Sequence, residues 1–248
     1  MATFRLLTYN IWVGGVGRVE PLARVISACA PDVVLVQEAT RPAVIEQLAA
    51  RTGMAEWRAF PRQSLGYMSR QPVLHASWHQ PRLSHHAFVE VVPAGDSLRL
   101  FGVHLSAVHA AWTERRRVYE LRALLRSVRQ HQDGLHVLAG DFNTLAPGAL
   151  LDVNRLPRRL RPMVWLSGGR IKWRTVQTVL DAGYIDAFRL KHPDDPGFTM
   201  PASDPHVRLD YAFVPAAYRD RILSCDVVRH PDAQIASDHF PVVLDLET

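Results

Sequence analysis

Short apolar runs separated by polar turns make up most of the hydrophobic pattern of this chain. Runs of this length, rich in β-branched and aromatic residues and bounded by turn residues, are typical of β-strands. The pattern predicts strands at residues 6–10, 33–37, 66–69, 73–78, 87–92, 98–104, 136–139, 209–214, 225–229 and 242–246. Many short strands interleaved with a few helices favour two packed sheets whose outer faces are covered by helices.

A helical periodicity covers residues 113–131. Its apolar residues recur three or four positions apart and form one stripe: Val118, Leu121, Leu124, Leu125 and Val128. The arginines fall mostly outside that stripe: Arg115, Arg116, Arg117, Arg122, Arg126 and Arg129. The segment is therefore predicted to be a helix that packs its apolar stripe on the core and exposes a basic back to solvent.

Side chains with catalytic potential stand at the ends of the apolar runs. Four runs end in, or are directly followed by, Asn10, Glu38, His104 and Asp141, and the pair Asp238-His239 lies just before the last run. Strands send their ends to the rim of a sheet, where ligands commonly bind. We therefore expect these side chains to lie close together.

The most informative stretch is Val137-Leu138-Ala139-Gly140-Asp141-Phe142-Asn143-Thr144. Residues two apart in an extended chain share a face, so Asp141 and Asn143 point the same way beyond the strand. A carboxylate there can orient or deprotonate water, and an amide can donate hydrogen bonds to a phosphoryl oxygen. The pair indicates a hydrolase, whereas the structural alternative is a turn, for which Gly-Asp-x-Asn is also suitable.

Single residues of this set also have structural interpretations. Glu38 could cap the helix that follows it, His104 could be a hydrogen-bonded core histidine, and Asp238 could be a turn acid. The convergence of several such residues on strand ends favours the catalytic interpretation over these alternatives.

The blocks that contain these residues make the chain resemble the endonuclease/exonuclease/phosphatase superfamily, the metal-dependent phosphodiesterases related to pancreatic-type deoxyribonuclease. In chain order the blocks are Thr8-Tyr9-Asn10, Val36-Gln37-Glu38, Gly66-Tyr67-Met68-Ser69-Arg70, Val103-His104-Leu105, Gly140-Asp141-Phe142-Asn143, Arg208-Leu209-Asp210-Tyr211 and Ser237-Asp238-His239. The resemblance implies an α+β fold, a four-layered α/β/β/α sandwich of two packed, mostly antiparallel sheets with helices on the outer faces. Residues 1–248 are expected to form a single domain of this type.

The resemblance also implies a divalent metal ion, Mg²⁺ or Mn²⁺. Glu38 would be its principal ligand, with Asn10 and Asp238 close by. An oxygen-rich set of this kind suits a hard cation, whereas zinc would favour sulfur or imidazole ligands. Whether one metal ion or two take part stays open at this point.

Five further roles follow from the same resemblance. Asp141 would orient or activate the attacking water, and Asn143 would bind a non-bridging phosphate oxygen. His239 would contact the scissile phosphate, and Asp210 would hold His239 in its useful tautomer and stabilise its cation. His104 would be a second phosphate-binding histidine. Which group deprotonates water is left open.

One departure from the family pattern bears on the substrate. The abasic-site endonuclease branch carries Asn-x-Tyr-x-Pro-Asn where this chain reads Val103-His104-Leu105-Ser106. The difference argues against a dedicated base-excision enzyme and toward the histidine-bearing branches. These include non-specific deoxyribonucleases, sphingomyelinases and phosphoinositide phosphatases.

Composition adds expectations about the protein's surroundings. The chain has 248 residues, of which 48% are hydrophobic, enough for a sizeable core. The first predicted strand begins so close to Met1 that no signal peptide is expected, and no apolar run approaches a membrane span. We therefore expect a cytoplasmic protein without stable membrane insertion, with Cys29 and Cys225 as reduced, buried thiols.

Positive charge is concentrated in residues 153–180. That segment has no Asp or Glu and contains Arg155, Arg158, Arg159, Arg161, Arg170, Lys172 and Arg174, more positive charge than the whole-chain net of +5. Trp165 and Trp173 are interleaved with these residues. Such an arm can neutralise phosphates and stack bases. The alternatives are a solvated helix face with core tryptophans, or attachment to an anionic lipid surface.

The sequence therefore predicts a Mg²⁺- or Mn²⁺-dependent phosphodiesterase that hydrolyses nucleic acid by in-line attack of water. The predicted substrate-binding residues are Arg158, Arg159, Arg161, Trp165, Arg170, Lys172 and Trp173. The alternatives are a phosphatase or lipid phosphodiesterase acting on small headgroups, and a catalytically silent phosphate-binding module. DNA or RNA, internal or terminal cleavage, and oligomeric state stay open, and no protein partner is implied.

Overall fold

Two β-sheets form the centre of the molecule. The computed structural model describes residues 2–80, 87–95, 98–107, 111–129, 134–149, 152–155 and 173–248. The strands are β1 (Thr3–Asn10), β2 (Val33–Gln37), β3 (Glu56–Arg58), β4 (Leu65–Ser69), β5 (Val73–His79), β6 (Phe88–Pro93), β7 (Arg99–His104), β8 (His136–Asp141), β9 (Tyr184–Asp186), β10 (Asp210–Pro215), β11 (Ile222–Val227) and β12 (Val242–Glu247).

The helices lie between these strands in the sequence. They are α1 (Val19–Cys29), α2 (Pro42–Thr52), α3 (Ala111–Arg129), α4 (Arg174–Asp181), α5 (Ala187–Lys191) and α6 (Ala233–Ala236). Short 3₁₀ segments are Val13–Gly15, Val153–Arg155 and Ala216–Arg221. None of the helices in the described part of the chain combines the length and apolar character needed to cross a membrane.

Within the described residues, each sheet contains six strands. The first has the order β11-β12-β1-β2-β4-β3 and the second the order β5-β6-β7-β8-β10-β9. Pairing is parallel between β1 and β2 and between β7 and β8, and antiparallel in the other described pairs. The expectation of two mostly antiparallel sheets is confirmed.

Three apolar cores separate four layers. Leu6, Leu35, Leu100 and Ala139 belong to the core between the two sheets. The outer face of the first sheet packs on α1 and α2, whose buried residues include Leu22, Ile26, Ile45 and Leu48. The outer face of the second sheet packs on α3 and α4 through Leu121, Leu124 and Val176. The arrangement is the expected α/β/β/α sandwich, and it arises because successive strand residues face opposite cores.

The predicted strands match the observed ones, β2 with identical bounds and the others with shifted ends, and two strands in the described part of the chain were missed. Both β3 and β9 are three-residue strands at sheet edges, too short to carry a recognisable alternation. β8 continues two residues past its predicted end and includes Asp141. The thiols are confirmed as free and buried, at Cys29 and Cys225.

The prediction that the arginines of α3 form a solvated back was wrong for Arg117. Its side chain is only 2% exposed, and its Nη2 donates to Glu114 Oε2 at 2.8 Å. Its Nη1 donates to the carbonyl of Ser106 at 2.8 Å. A prediction from helical periodicity places every arginine on the solvent-exposed face. A guanidinium can nevertheless be buried when a carboxylate and a carbonyl accept its hydrogen bonds.

Candidate active site

The predicted catalytic residues converge on one rim of the sandwich. The parallel pairs β1–β2 and β7–β8 both end there, with Asn10 beside Gln37 and His104 beside Asp141. On the other side of Asp141 the antiparallel strand β10 begins with Asp210. Sheet register alone therefore places His104, Asp141 and Asp210 in adjacent positions on three neighbouring strands.

Gly140 allows β8 to approach β7 closely enough to place Asp141 at this rim. Its φ is +148°, and a Cβ atom built there would lie 1.9 Å from the carbonyl oxygen of Val103. Only glycine allows such a close approach of backbone to backbone. The fold therefore requires glycine at position 140. The close approach of the two strands places Asp141 directly beside the end of β7.

Asp141 is held by donors from both sheets. Its Oδ2 accepts hydrogen bonds from Asn10 Nδ2 at 3.1 Å and from Asn143 Nδ2 at 3.2 Å. Its Oδ1 accepts the backbone N–H of Asn143 at 2.8 Å. His104 Nε2 lies 3.8 Å from Asp141 Oδ2. The carboxylate is thus fixed in one orientation, with an imidazole beside it.

Burial raises the pKa of Asp141, and the negative charge of Asp210 adds to that effect. The charges of His239 and His104 and the backbone donor from Asn143 act in the opposite direction. A carboxylate with a raised pKa is a better proton acceptor than an ordinary one. The environment therefore suits a group that orients water and takes its proton.

His239 and Asp210 form a buried pair opposite Asp141. His239 Nδ1 lies 2.8 Å from Asp210 Oδ2. Burial lowers the pKa of His239, but the negative charge of Asp210 and its hydrogen bond, with the charges of Asp141 and Asp238, raise that pKa to about 10. Since Asp210 occupies the Nδ1 edge of a cationic imidazole, the Nε2 edge is left for a substrate oxygen.

The residues predicted to hold a metal lie beside this pair. Glu38 follows β2 with a φ of +58°, and its Oε2 accepts the backbone N–H of Val13. Burial raises the pKa of Asp238; the charge of His239 opposes this shift, and the negative charge of Glu38 reinforces it. The two carboxylates are therefore close enough to interact electrostatically.

The donor chemistry fits a hard divalent cation. Within the described part of the chain, Asp238 Oδ1 is buried and has no hydrogen-bond partner. A buried carboxylate oxygen without a donor is costly unless a cation compensates it. Asp141, Asp210 and His239 also offer ligand atoms within 4.8 Å of one another. Asp141, Asp210, Glu38 and Asp238 can all supply oxygen ligands. The assignment of Glu38, Asn10 and Asp238 to a metal site stays a prediction.

Most of the predicted substrate-binding residues lie outside the part of the chain that the structure describes. They are Arg158, Arg159, Arg161, Trp165, Arg170 and Lys172. Trp173 lies directly before α4, and 38% of its surface is exposed, so it is not a core residue. The role of this basic segment stays a prediction.

Strained backbone at the rim was not predicted. Four of the non-glycine residues with positive φ lie there: Trp12, Val13, Glu38 and Asn143, with φ between 47° and 58°. Such conformations cost free energy and concentrate at functional sites. Gly14 and Gly15 in the loop after β1 also have positive φ, 69° and 66°. No local pattern in the sequence shows that this loop contacts Asn10 and Glu38.

Many solved structures share this fold, and the three that follow are distant in sequence. An AP endonuclease from Archaeoglobus fulgidus is 16% identical with a TM-score of 0.77, over 99% of this chain and 100% of that one. A 3'-5' exonuclease (NExo) from Neisseria meningitidis is 20% identical with a TM-score of 0.75, over 99% and 100%. An endonuclease/exonuclease/phosphatase from Beutenbergia cavernae is 24% identical with a TM-score of 0.72, over 100% and 72%. At these identities the likeness establishes the fold.

Family membership comes from the sequence. No curated protein matches the chain significantly. The profile of the Endonuclease/Exonuclease/phosphatase family, by contrast, matches residues 7–239, a span that includes every residue of the rim described above. The chain therefore belongs to the Endonuclease/Exonuclease/phosphatase family.

Proposed function

We propose that this protein is a divalent-metal-dependent phosphodiesterase that hydrolyses nucleic acid by in-line attack of water on phosphorus. The observation that carries the proposal is the buried array at the rim. Asp141 is fixed by Asn10 and Asn143, and it faces the His239–Asp210 pair. A fixed carboxylate opposite a fixed cation is the arrangement that water attack on a phosphodiester needs.

Each group has a separate task in this proposal. Asp141 orients the attacking water and accepts its proton as the new P–O bond forms and the bond to the leaving oxygen breaks. Asn143 Nδ2 donates here to Asp141 Oδ2 and to the carbonyl of Leu105, and with substrate it would exchange one of these bonds for a non-bridging oxygen. His239 places positive charge against the phosphate as negative charge develops. Asp210 keeps the Nδ1 edge of His239 occupied, so the imidazole presents its other edge to the substrate.

Glu38, Asn10 and Asp238 would hold Mg²⁺ or Mn²⁺ in this proposal. When bound, such an ion supplies Lewis-acid stabilisation of charge on the phosphoryl and leaving oxygens. The unsatisfied Oδ1 of Asp238 and the nearby charge of Glu38 support this assignment.

Two observations favour nucleic acid over a small headgroup. The sequence of residues 153–180 concentrates positive charge with interleaved tryptophans beyond the Asp141 strand. Among the solved structures of this fold is a 3' phosphatase (NExo) from Neisseria bound to a product DNA hairpin, 18% identical with a TM-score of 0.75. A phosphatase or lipid phosphodiesterase remains the second candidate, because His104 is typical of those branches too.

A substrate panel tests the proposal. The purified chain should cleave plasmid, single-stranded DNA or RNA with Mg²⁺ or Mn²⁺ and lose that activity in excess chelator. An Asp141→Asn preparation made in parallel controls for contaminating nuclease. Turnover of small phosphate monoesters or lipid headgroups, with all nucleic acids left intact, would replace the proposal by the second candidate.

A Glu38→Gln variant tests the metal assignment. The amide keeps the size of the side chain but removes its charge, so the variant should keep its melting temperature and require at least about tenfold more Mg²⁺ for half-maximal activity. Metal titrations of activity, with metal binding followed by calorimetry, measure the shift. Glu46→Gln, on the α2 helix, is the matched control. Identical metal titrations for Glu38→Gln and wild type would remove Glu38 from the ligand set.

A further inference from the structure

The loop that follows β1 exposes apolar side chains at the mouth of the active site. Trp12 is 43% exposed, Val13 65% and Val16 58%. The loop is nevertheless anchored, because Gly14 and Gly15 are buried and leave little room for a Cβ against Thr40, Arg41 and Leu22. An exposed aromatic residue on a rigid support is suited to binding rather than to packing.

The backbone ties Trp12 directly to the residues proposed to hold the metal. The N–H of Trp12 donates to Asn10 Oδ1 at 3.0 Å, and the N–H of Val13 donates to Glu38 Oε2. Trp12 and Val13 adopt φ values of 51° and 47°, which L-residues rarely take. The backbone of Trp12 is therefore held by the same side chains that form the site.

Arg18 holds the indole ring from within the same loop. Its guanidinium carbon lies 4.5 Å from the centroid of the Trp12 ring, a cation–π arrangement. Its Nη2 donates to the carbonyl of Ile11 at 3.1 Å and also to that of Trp12. The guanidinium is thus tied to the loop backbone and restricts how the ring can turn.

We propose that Trp12, supported by Arg18, is a stacking platform for a nucleobase next to the scissile phosphate. This inference rests on the proposed nuclease function and names a specificity-determining residue for it. A fixed indole accepts the planar face of any base, which gives affinity without sequence preference. A lipid tail fits less well, since insertion of this loop into hydrocarbon would also desolvate Arg18 and Glu38.

The test compares base-bearing and base-free substrates. Wild type should cleave a single-stranded oligonucleotide with a lower KM than the same strand carrying tetrahydrofuran abasic residues beside the cleaved bond. Trp12→Ala should raise the KM for the base-bearing strand by about 5- to 100-fold and leave the KM for the abasic strand unchanged. The kcat and the metal requirement should stay at wild-type values, and Trp12→Phe should retain most of the affinity.

A control variant and three outcomes make the test decisive. Leu223→Ala removes an equally exposed apolar residue, 45% exposed on β11, and should change neither KM. Equal KM values of wild type for both strands would overturn the stacking role, even if Trp12→Ala failed to fold. An unchanged KM of Trp12→Ala for the base-bearing strand would also overturn it. If that variant in addition lost binding to phosphatidylglycerol vesicles, the loop would bind lipid instead of a base. If wild type cleaves no nucleic acid at all, the proposed function itself fails.

Discussion

Asp141→Asn and His239→Ala should each slow hydrolysis of the preferred nucleic acid by at least about a hundredfold. Asp141→Asn removes the proton acceptor and also turns one acceptor oxygen into a donor that faces the amides of Asn10 and Asn143. His239→Ala removes the positive charge that the buried pair holds at the rim. Single-turnover rates at saturating metal concentration measure these losses.

The contribution of Asp210 should depend on His239. Asp210→Asn weakens the charge and the hydrogen bond that orient the imidazole, so it should slow the reaction in the wild-type background. Added to His239→Ala it should cost little more, because its partner is already gone. Fully additive losses in the double variant would show that Asp210 acts independently. Melting temperatures of all three variants serve as the control for folding.

The parts of the fold that the sequence predicts best are strands buried on both faces. β2 is a continuous run of buried residues, and its observed bounds equal the predicted ones. Such strands carry an uninterrupted apolar signal, and a polar residue directly after one marks the rim of a sheet. This is why the sequence alone identifies Glu38 and Asp141 as candidate site residues.

Features that depend on distant pairing could not be predicted. The Asn10–Asp141 hydrogen bond joins residues from opposite sheets, and no local pattern relates them. The strained φ values of Trp12 and Glu38 arise because neighbouring side chains over-determine the backbone there. The sequence pattern placed Arg117 on the solvent-exposed face. Its hydrogen-bond acceptors, Glu114 and the carbonyl of Ser106, are brought next to it only by the folded structure.

A buried carboxylate behind the site joins three segments that carry or flank the catalytic residues. Glu114 Oε1 accepts the N–H of Thr175 at 2.8 Å and its hydroxyl at 2.9 Å. Its Oε2 accepts from Thr144 Oγ1 at 3.2 Å and from Arg117 Nη2 at 2.8 Å. Thr144 directly follows Asn143, and Thr175 directly follows Arg174, the last basic residue of the segment 153–180. One side chain therefore holds the chain next to Asn143 and next to Arg174.

Replacing Glu114 by alanine should lower the free energy of unfolding by about 3–5 kcal/mol, because the buried charge of Arg117 would lose the carboxylate that lies 2.8 Å away. Chemical denaturation measures this loss. Adding Arg117→Met should recover part of this loss by removing the buried charge that the carboxylate no longer faces. Asp232→Ala breaks the exposed ion pair with Arg24 and should leave the stability almost unchanged. A Glu114→Ala variant as stable as wild type would mean that water reaches Arg117, and that Asn143 does not depend on this anchor.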